Sequence, residues 1–178
     1  MDIDPGSEDY RNIYKLMVGA IVPRPIAFVS TVNLHGHPNL APFSYFTACG
    51  SNPPCVVFSP TGRGRDAAPK DTLRNIEETR EFVVNIVSEE FASAMNATSA
   101  EFPPEINEFE KSGLTPLASI RVQPPRVKES HVQMECRLLQ VITVSDKPGG
   151  GSLIIGEVVL FHIDENVLVE PDRDRFKI

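Results

Sequence analysis

The chain has 178 residues, 41% of them hydrophobic and 23% charged, with 16 Pro and 11 Gly and a net charge of −7. That length fits one domain spanning 1–178 with a real core, and the turn-forming content favours short strands over long helices. The negative balance argues against a nucleic-acid or anionic-membrane surface, both of which need a cationic field. No apolar run approaches the roughly 20 residues of a membrane span.

The opening "MDIDPGSEDY" is acidic and lacks the charged start and apolar middle of a signal peptide. Cys49, Cys55 and Cys136 are odd in number and form no CxxC pair. A reducing cytoplasm is the expected setting, with all three thiols serving as small buried hydrophobes. The segment "YRNIYKLMVGAIVP" is expected to form a short helix ending before Pro23, and "PIAFVSTV", residues 25–32, a strand rich in β-branched types. "NLHGHPN" reads as a hairpin turn in which Gly36 takes positive φ. The return strand starts near Asn39 and runs into "NLAPFSYFTACGSNPP", where Pro42, Pro53 and Pro54 are expected to interrupt pairing. Such a stretch fits an irregular barrel edge packed with aromatics. It also fits a main chain whose free N–H and C=O groups grip a flat heterocycle.

"CVVFS" is a further strand, and "PTGRGRDAAPK" a loop feeding the helix "DTLRNIEETR", with Asp71 or Thr72 as its N-cap. "EFVVNIV" is a strand; Ser88 is the expected cap of a second helix, "EEFASAMNA". Residues 99–117 are polar and Pro-broken and are expected to form a long ordered loop. "HVQMECRLLQVITV" and "SLIIGEVVLFHI" flank "SDKPGGG" as a long hairpin. The whole is mainly β, a small closed or partly open barrel with a few short helices, without the strand–helix rhythm of a doubly wound fold.

Charge runs against the background in one place. Arg63, Arg65, Lys70 and Arg74 face only Asp66 and Asp71, a local excess of two positive charges. This stretch leads into a helix N-terminus, where free N–H groups and the helix dipole favour a phosphate. Pro69 before Lys70 excludes a Walker loop. The same residue types also fit a solvated basic loop with an ordinary cap. His35 and His37, two apart in a turn, read as exposed residues rather than metal ligands, and no metal site is expected. His131 and His162 fall at strand ends, where each either touches a ligand or bonds at a barrel rim. No GxSxG or HExxH motif supports a hydrolase.

The motifs "PRPIAFVSTVNLHGHPNLAPFSYF", "NPPCVVFS", "PKDTLRNIEETREFVVNIV", "AMNATSAEFPPEINEFEKSGL", "VKESHVQMEC" and "IIGEVVLFHID" appear in that order over roughly residues 20–168. They resemble the flavin reductase-like, FMN-binding split-barrel family. The resemblance implies a homodimeric split β-barrel that holds FMN noncovalently near the subunit interface. Some members pass electrons from NADH or NADPH to flavin for a partner monooxygenase; flavoredoxin-like members keep their FMN. Carried over by position, Asn39, Ala41, Pro42, Phe43 and Ser44 would border the isoalloxazine ring. Ser59, Lys70, Asp71 and Thr72 would form the phosphate and ribityl side, Asp71 more as a cap than a ligand. Arg24, Ser30 and Thr31 are secondary candidates on the adjacent strand, and His162 is a further one at a strand end.

Two departures stand out. Phe28 replaces the Trp frequent in the family's "PRPIAWVST", and "EPDRDRFKI" ends before the family's usual C-terminal segment. The expected reaction is hydride transfer from NADH or NADPH to flavin, with the protein positioning the reactants and stabilising charge on the ring. The rival is an FMN-binding electron carrier without NAD(P)H turnover. An oxidase of a pyridoxamine-type phosphate and a purely structural barrel are lesser alternatives.

Overall fold

The computed structural model describes residues 1–61, 69–100, 102–103 and 106–169. Helix α1 (Tyr10–Ala20) follows an acidic start and is capped by the Asp9 carboxylate, which accepts from the Arg11 N–H. It ends before Pro23, as expected. Strands β1 (Ala27–Val32) and β2 (Pro38–Phe43) form the expected hairpin, with Gly36 at φ +80° in the turn. β3 (Phe46–Ser51) and β4 (Pro54–Phe58) form a second hairpin. Helix α2 (Asp71–Thr79) leads into β5 (Glu81–Ile86). Helices α3 (Ala92–Ala97) and α4 (Glu108–Ser112) precede a two-residue ribbon of β6 (Pro116–Leu117) and β7 (Arg126–Val127). The long arms β8 (Val132–Thr143) and β9 (Ser152–Ile163) close the chain of strands.

Seven strands form one sheet in the order β2-β1-β5-β8-β9-β4-β3, antiparallel at every junction. The stretch at 39–54 thus supplies both edges of the sheet. β2 pairs with β1 through six facing residue pairs, Pro42 opposite Phe28, so the prolines do not interrupt that ladder. They are tolerated because an edge strand needs its N–H groups on one side only.

β1 is buried along its whole length, and its alternation divides the core in two. Ala27 and Val29 join Phe43, Phe58, Ile76, Phe82 and Ile154 on one side. Phe28 joins Leu40, Phe91, Met95 and Phe109 on the other. The rings of Phe43, Phe58 and Phe82 are in sequence, 5.2 and 5.5 Å between centroids. Phe82 lies against the bare backbone of Gly156 on β9, where a Cβ would come within 2.3 Å of its ring. Phe28 is fully buried and tilted against Phe91 at 6.3 Å, an apolar setting that a ring without a polar atom fits.

Buried polar side chains tie the loops to this frame. Asn85 donates to the Phe28 carbonyl at 3.0 Å and accepts from the Val127 N–H at 2.8 Å, joining β1, β5 and β7. Glu135, fully buried on β8, accepts from the N–H groups of Ile120, Arg121 and Val122 and from His162 Nε2.

Three local expectations need correction. Lys70, in extended conformation, is the N-cap of α2 and gives no side-chain cap; Asp71 and Thr72 are its first two helical residues. Ser88 occupies an N-cap position without a side-chain cap bond, and the segment opens as a 3-10 turn, Glu89–Phe91, before α3. The loop at 99–117 contains α4, capped by Asn107 and stopped by Gly113 at φ +73°. Five residues flanked by prolines are too few to show helical periodicity. No described helix is long and apolar enough to cross a membrane.

Candidate functional site

The N-terminus of α2 meets the outer edge of β2, because the Asn39 amide donates to the Thr72 hydroxyl at 2.9 Å. Thr72 itself is buried, held by this bond and by the packing of α2 on β1, where Asn75 donates to Thr31 at 3.0 Å. A cleft opens where the two elements meet. Asn39, Ala41 and Pro42 come from β2, and Lys70, Asp71 and Thr72 from α2. Thr98, Ser99, Ala100 and Phe102 follow α3, and Glu108 starts α4.

The electrostatics of the cleft are mixed. Lys70 Nζ lies 5.6 Å from the centre of the Phe43 ring, which brings the cation over an aromatic face of the core. Asp71 pairs with Arg74 one turn on. Lys70 gives the first turn of α2 no side-chain cap bond, and the N–H groups and dipole of a helix N-terminus favour an anion. Glu108 is buried and accepts from the Leu40 N–H at 3.2 Å, using a donor of the β2 edge. Burial pushes its carboxyl above the ordinary range, and the Asp71 charge adds to this, against the lowering effect of backbone N–H groups.

Six of the residues singled out from sequence, Asn39, Ala41, Pro42, Lys70, Asp71 and Thr72, therefore share one cleft. The others lie elsewhere. Phe43 is a core residue beneath Lys70. Ser44 accepts from Arg24 Nε at 3.3 Å, and Arg24 also bonds the Val18 and Ile21 carbonyls, closing the end of α1. Ser59 lies outside this cleft, its hydroxyl beside Gly151, which lines a second cleft with Pro60, Lys70, Ser145 and Ser152. Ser30 and Thr31 are fully buried; Ser30 donates to the Pro125 carbonyl, and Thr31 accepts from Asn75. Both hydroxyls are hydrogen-bonded within the fold. His162 bonds the buried Glu135 at 2.6 Å and lines neither cleft. Arg63, Arg65 and Asp66 of the basic loop lie outside the described residues.

The contribution of Thr98, Ser99, Ala100, Phe102 and Glu108 is not legible in the sequence. "AMNATSAEFPPEINEFEKSGL" was part of the family resemblance, and that was the available signal; no charge pattern marks Thr98 or Glu108. The thiols also need correction. Only Cys136 is buried; Cys49 is exposed and Cys55 partly so. Burial pushes the Cys136 thiol far up. His35 and His37 sit in the turn with ring centres 6.4 Å apart. Among the described residues no group of three or more His, Cys, Asp or Glu side chains converges.

Comparison with known proteins places this geometry in a lineage. An uncharacterized protein of Aquifex aeolicus is 45% identical over 91% of this chain and 80% of its own length. The structure of nitrilotriacetate monooxygenase component B from Bacillus cereus is 38% identical, covers 99% of this chain and 86% of its own, and superposes with a TM-score of 0.90. The 2-nitrobenzoate 2-nitroreductase of Pseudomonas fluorescens is 31% identical, covers 100% of this chain and 82% of its own, with a TM-score of 0.85. The model of the flavin reductase like domain matches residues 18–176. A seven-stranded antiparallel sheet with short helices, the same architecture as solved split-barrel domains, and a match over nearly the whole chain make this protein a member of the flavin reductase-like family.

Proposed function

We propose that the chain is an oxidoreductase that binds FMN at the junction of β2 and α2 and takes hydride for it from NADH or NADPH. The observation that carries this reading is the Asn39–Thr72 bond, which fixes a sheet edge against a helix N-terminus that has a lysine and no side-chain cap. The donor set fits a phosphomonoester: Lys70 supplies charge and the first turn of α2 supplies N–H groups and dipole. Asp71 and Glu108 oppose an anion there, but Asp71 is paired with Arg74 and Glu108 is pushed toward its neutral form.

Bound flavin supplies the hydride acceptor, which none of these side chains is. The protein's part is placement. Lys70 and α2 hold the phosphate, and the β2 edge at Asn39, Ala41 and Pro42 borders the ring. Phe43 backs Lys70 and limits where its ammonium can reach. With positions set this way, the reaction needs no obligatory acid or base from the protein.

The likeness to a protein named monooxygenase component B supports a role in delivering reduced flavin to a partner monooxygenase. A homodimer is supported by α1, which buries none of its residues within one chain and presents Tyr14 and Met17 to solvent.

Titration with FMN and with riboflavin, for wild type and Lys70→Ala, tests the cradle. The variant should lose at least tenfold in FMN affinity and little for riboflavin, since only FMN has the phosphate. Equal losses would remove Lys70 from the phosphate site. Anaerobic addition of NADH or NADPH to the FMN-loaded protein should bleach the visible flavin band. Persistent colour with both nucleotides would leave an electron carrier in place of a reductase.

A further inference from the structure

The edge hairpin of β3 and β4 carries two thiols that the cleft does not use. Its register runs Ala48 opposite Val56 and then Gly50 opposite Cys55, so Cys49 is the extra residue of a β-bulge. In a bulge two residues of one strand oppose one of the other, the extra residue is left unpaired and the strand bends. Cys49 and Gly50 together oppose Cys55. Gly50 also makes the room: a Cβ there would lie 2.8 Å from the Cys55 Sγ, so that sulfur rests over the bare glycine beside Cys49. Facing residues of antiparallel strands, here Gly50 and Cys55, have Cα atoms about 4.5–5.5 Å apart; Cys49 adjoins that pair and its side chain is near enough to hydrogen-bond Cys55, the neighbourhood a disulfide needs. Cys49 is exposed and Cys55 half-buried, so small oxidants and reductants reach them, whereas Cys136 is buried in the core.

We propose that Cys49 and Cys55 are a redox modification site, closing a reversible disulfide across the β3–β4 hairpin when a hydroperoxide is the oxidant. One thiolate attacks a peroxide oxygen, breaking the O–O bond, becoming a sulfenic acid and releasing hydroxide, which takes up a proton as water. The second thiol, losing its proton, attacks that sulfur, forms the S–S bond and expels a second water. The sulfurs together lose two electrons and the peroxide gains them. A dithiol reverses the step by exchange. Partial desolvation of this exposed residue, and then the hydrogen bond and charge of the adjacent Cys55, hold the Cys49 thiol above its ordinary value. Cys49 is therefore a thiol rather than a thiolate near neutral pH, and its attack on the peroxide quickens as pH rises.

The test treats the full native chain with hydrogen peroxide, quenches it, alkylates it under denaturing conditions and measures intact mass and peptide map. Wild type should fall from three alkylatable thiols to one. It should lose two hydrogens, about 2 Da, and yield a peptide linking Cys49 to Cys55. Dithiothreitol should restore all three thiols. Cys136→Ser should still close the bridge, and Cys49→Ser and Cys55→Ser should each gain oxygen without losing two hydrogens. Three thiols persisting in peroxide-treated wild type would overturn the proposal. A bridge found only between two chains, or one retained in Cys55→Ser, would do the same.

Discussion

Glu135→Gln removes one negative charge from a carboxylate that is the most enclosed among the described residues, without changing its size. The wild-type side chain accepts from Ile120 N at 2.8 Å, Arg121 N at 2.5 Å, Val122 N at 3.2 Å and His162 Nε2 at 2.6 Å. Hydrogen bonds to a charged acceptor contribute about 1.5–3 kcal/mol each, against about 0.5–1.5 for a neutral pair. A glutamine carbonyl keeps two of these donors, each weakened by about 1 kcal/mol, and its NH2 faces the other two, each then costing about 1–3 kcal/mol. Ile120 and Arg121 are exposed residues whose bonds to Glu135 are only part-buried, so the lower part of that sum applies, about 4–5 kcal/mol. For a chain of this size that is a fall in Tm of roughly 8–20 °C. Urea unfolding at pH 7, monitored by circular dichroism, measures the loss. Burial alone would raise this carboxyl, but the N–H groups of Ile120 and Arg121 and the His162 side chain bring it below its ordinary 4.5. Its stabilisation is thus complete above that pH and is lost as pH falls through the lower folded value. The gap between wild type and variant should narrow only in acid. A loss below about 1 kcal/mol at pH 7 would refute the assignment of Glu135 as the anchor of residues 120–122.

Gly156→Ala should cost about 1–3 kcal/mol by overpacking, because the new methyl meets Phe82 Cζ at 2.3 Å in a closed core; adding Phe82→Leu should recover part of it in thermal melts. Asn85→Ala should cost about 2–4 kcal/mol, since it strands the Phe28 carbonyl and the Val127 N–H, and hydrogen exchange at Val127 should quicken. Glu108→Gln can still accept from Leu40 N–H while removing a buried charge. The raised folded value of Glu108 means that its ionisation costs stability as pH rises from its ordinary value through the folded one. Denaturation midpoints against pH should show the variant equal to wild type in acid and at least as stable at neutral pH; a variant less stable at pH 7 would contradict the burial argument.

Elements with strong local patterns were legible in the chain. The β1–β2 turn rests on Gly36, the β8–β9 arms on two long β-branched runs around a glycine-rich turn, and α1 on a periodic segment stopped by Pro23. α4 was not legible because its five residues bury Phe109 and Glu108 through contacts made far away in sequence. Part of the cleft could be anticipated because Lys70 and the following helix are contiguous. Ser30 and Thr31 look like available hydroxyls in the sequence, but a central strand buried on both faces spends them on Pro125 and Asn75.

By itself the sequence determined the periodicities, the breaks and the local charge, because these depend on residues within a few positions of one another. Tertiary structure alone decided that Asn39 reaches Thr72, that Glu108 takes a donor of the β2 edge, that His162 serves Glu135, and that a bulge sets Cys49 toward Cys55. Each of these joins different structural elements or depends on strand register, and register is fixed by how the whole sheet buries its apolar faces.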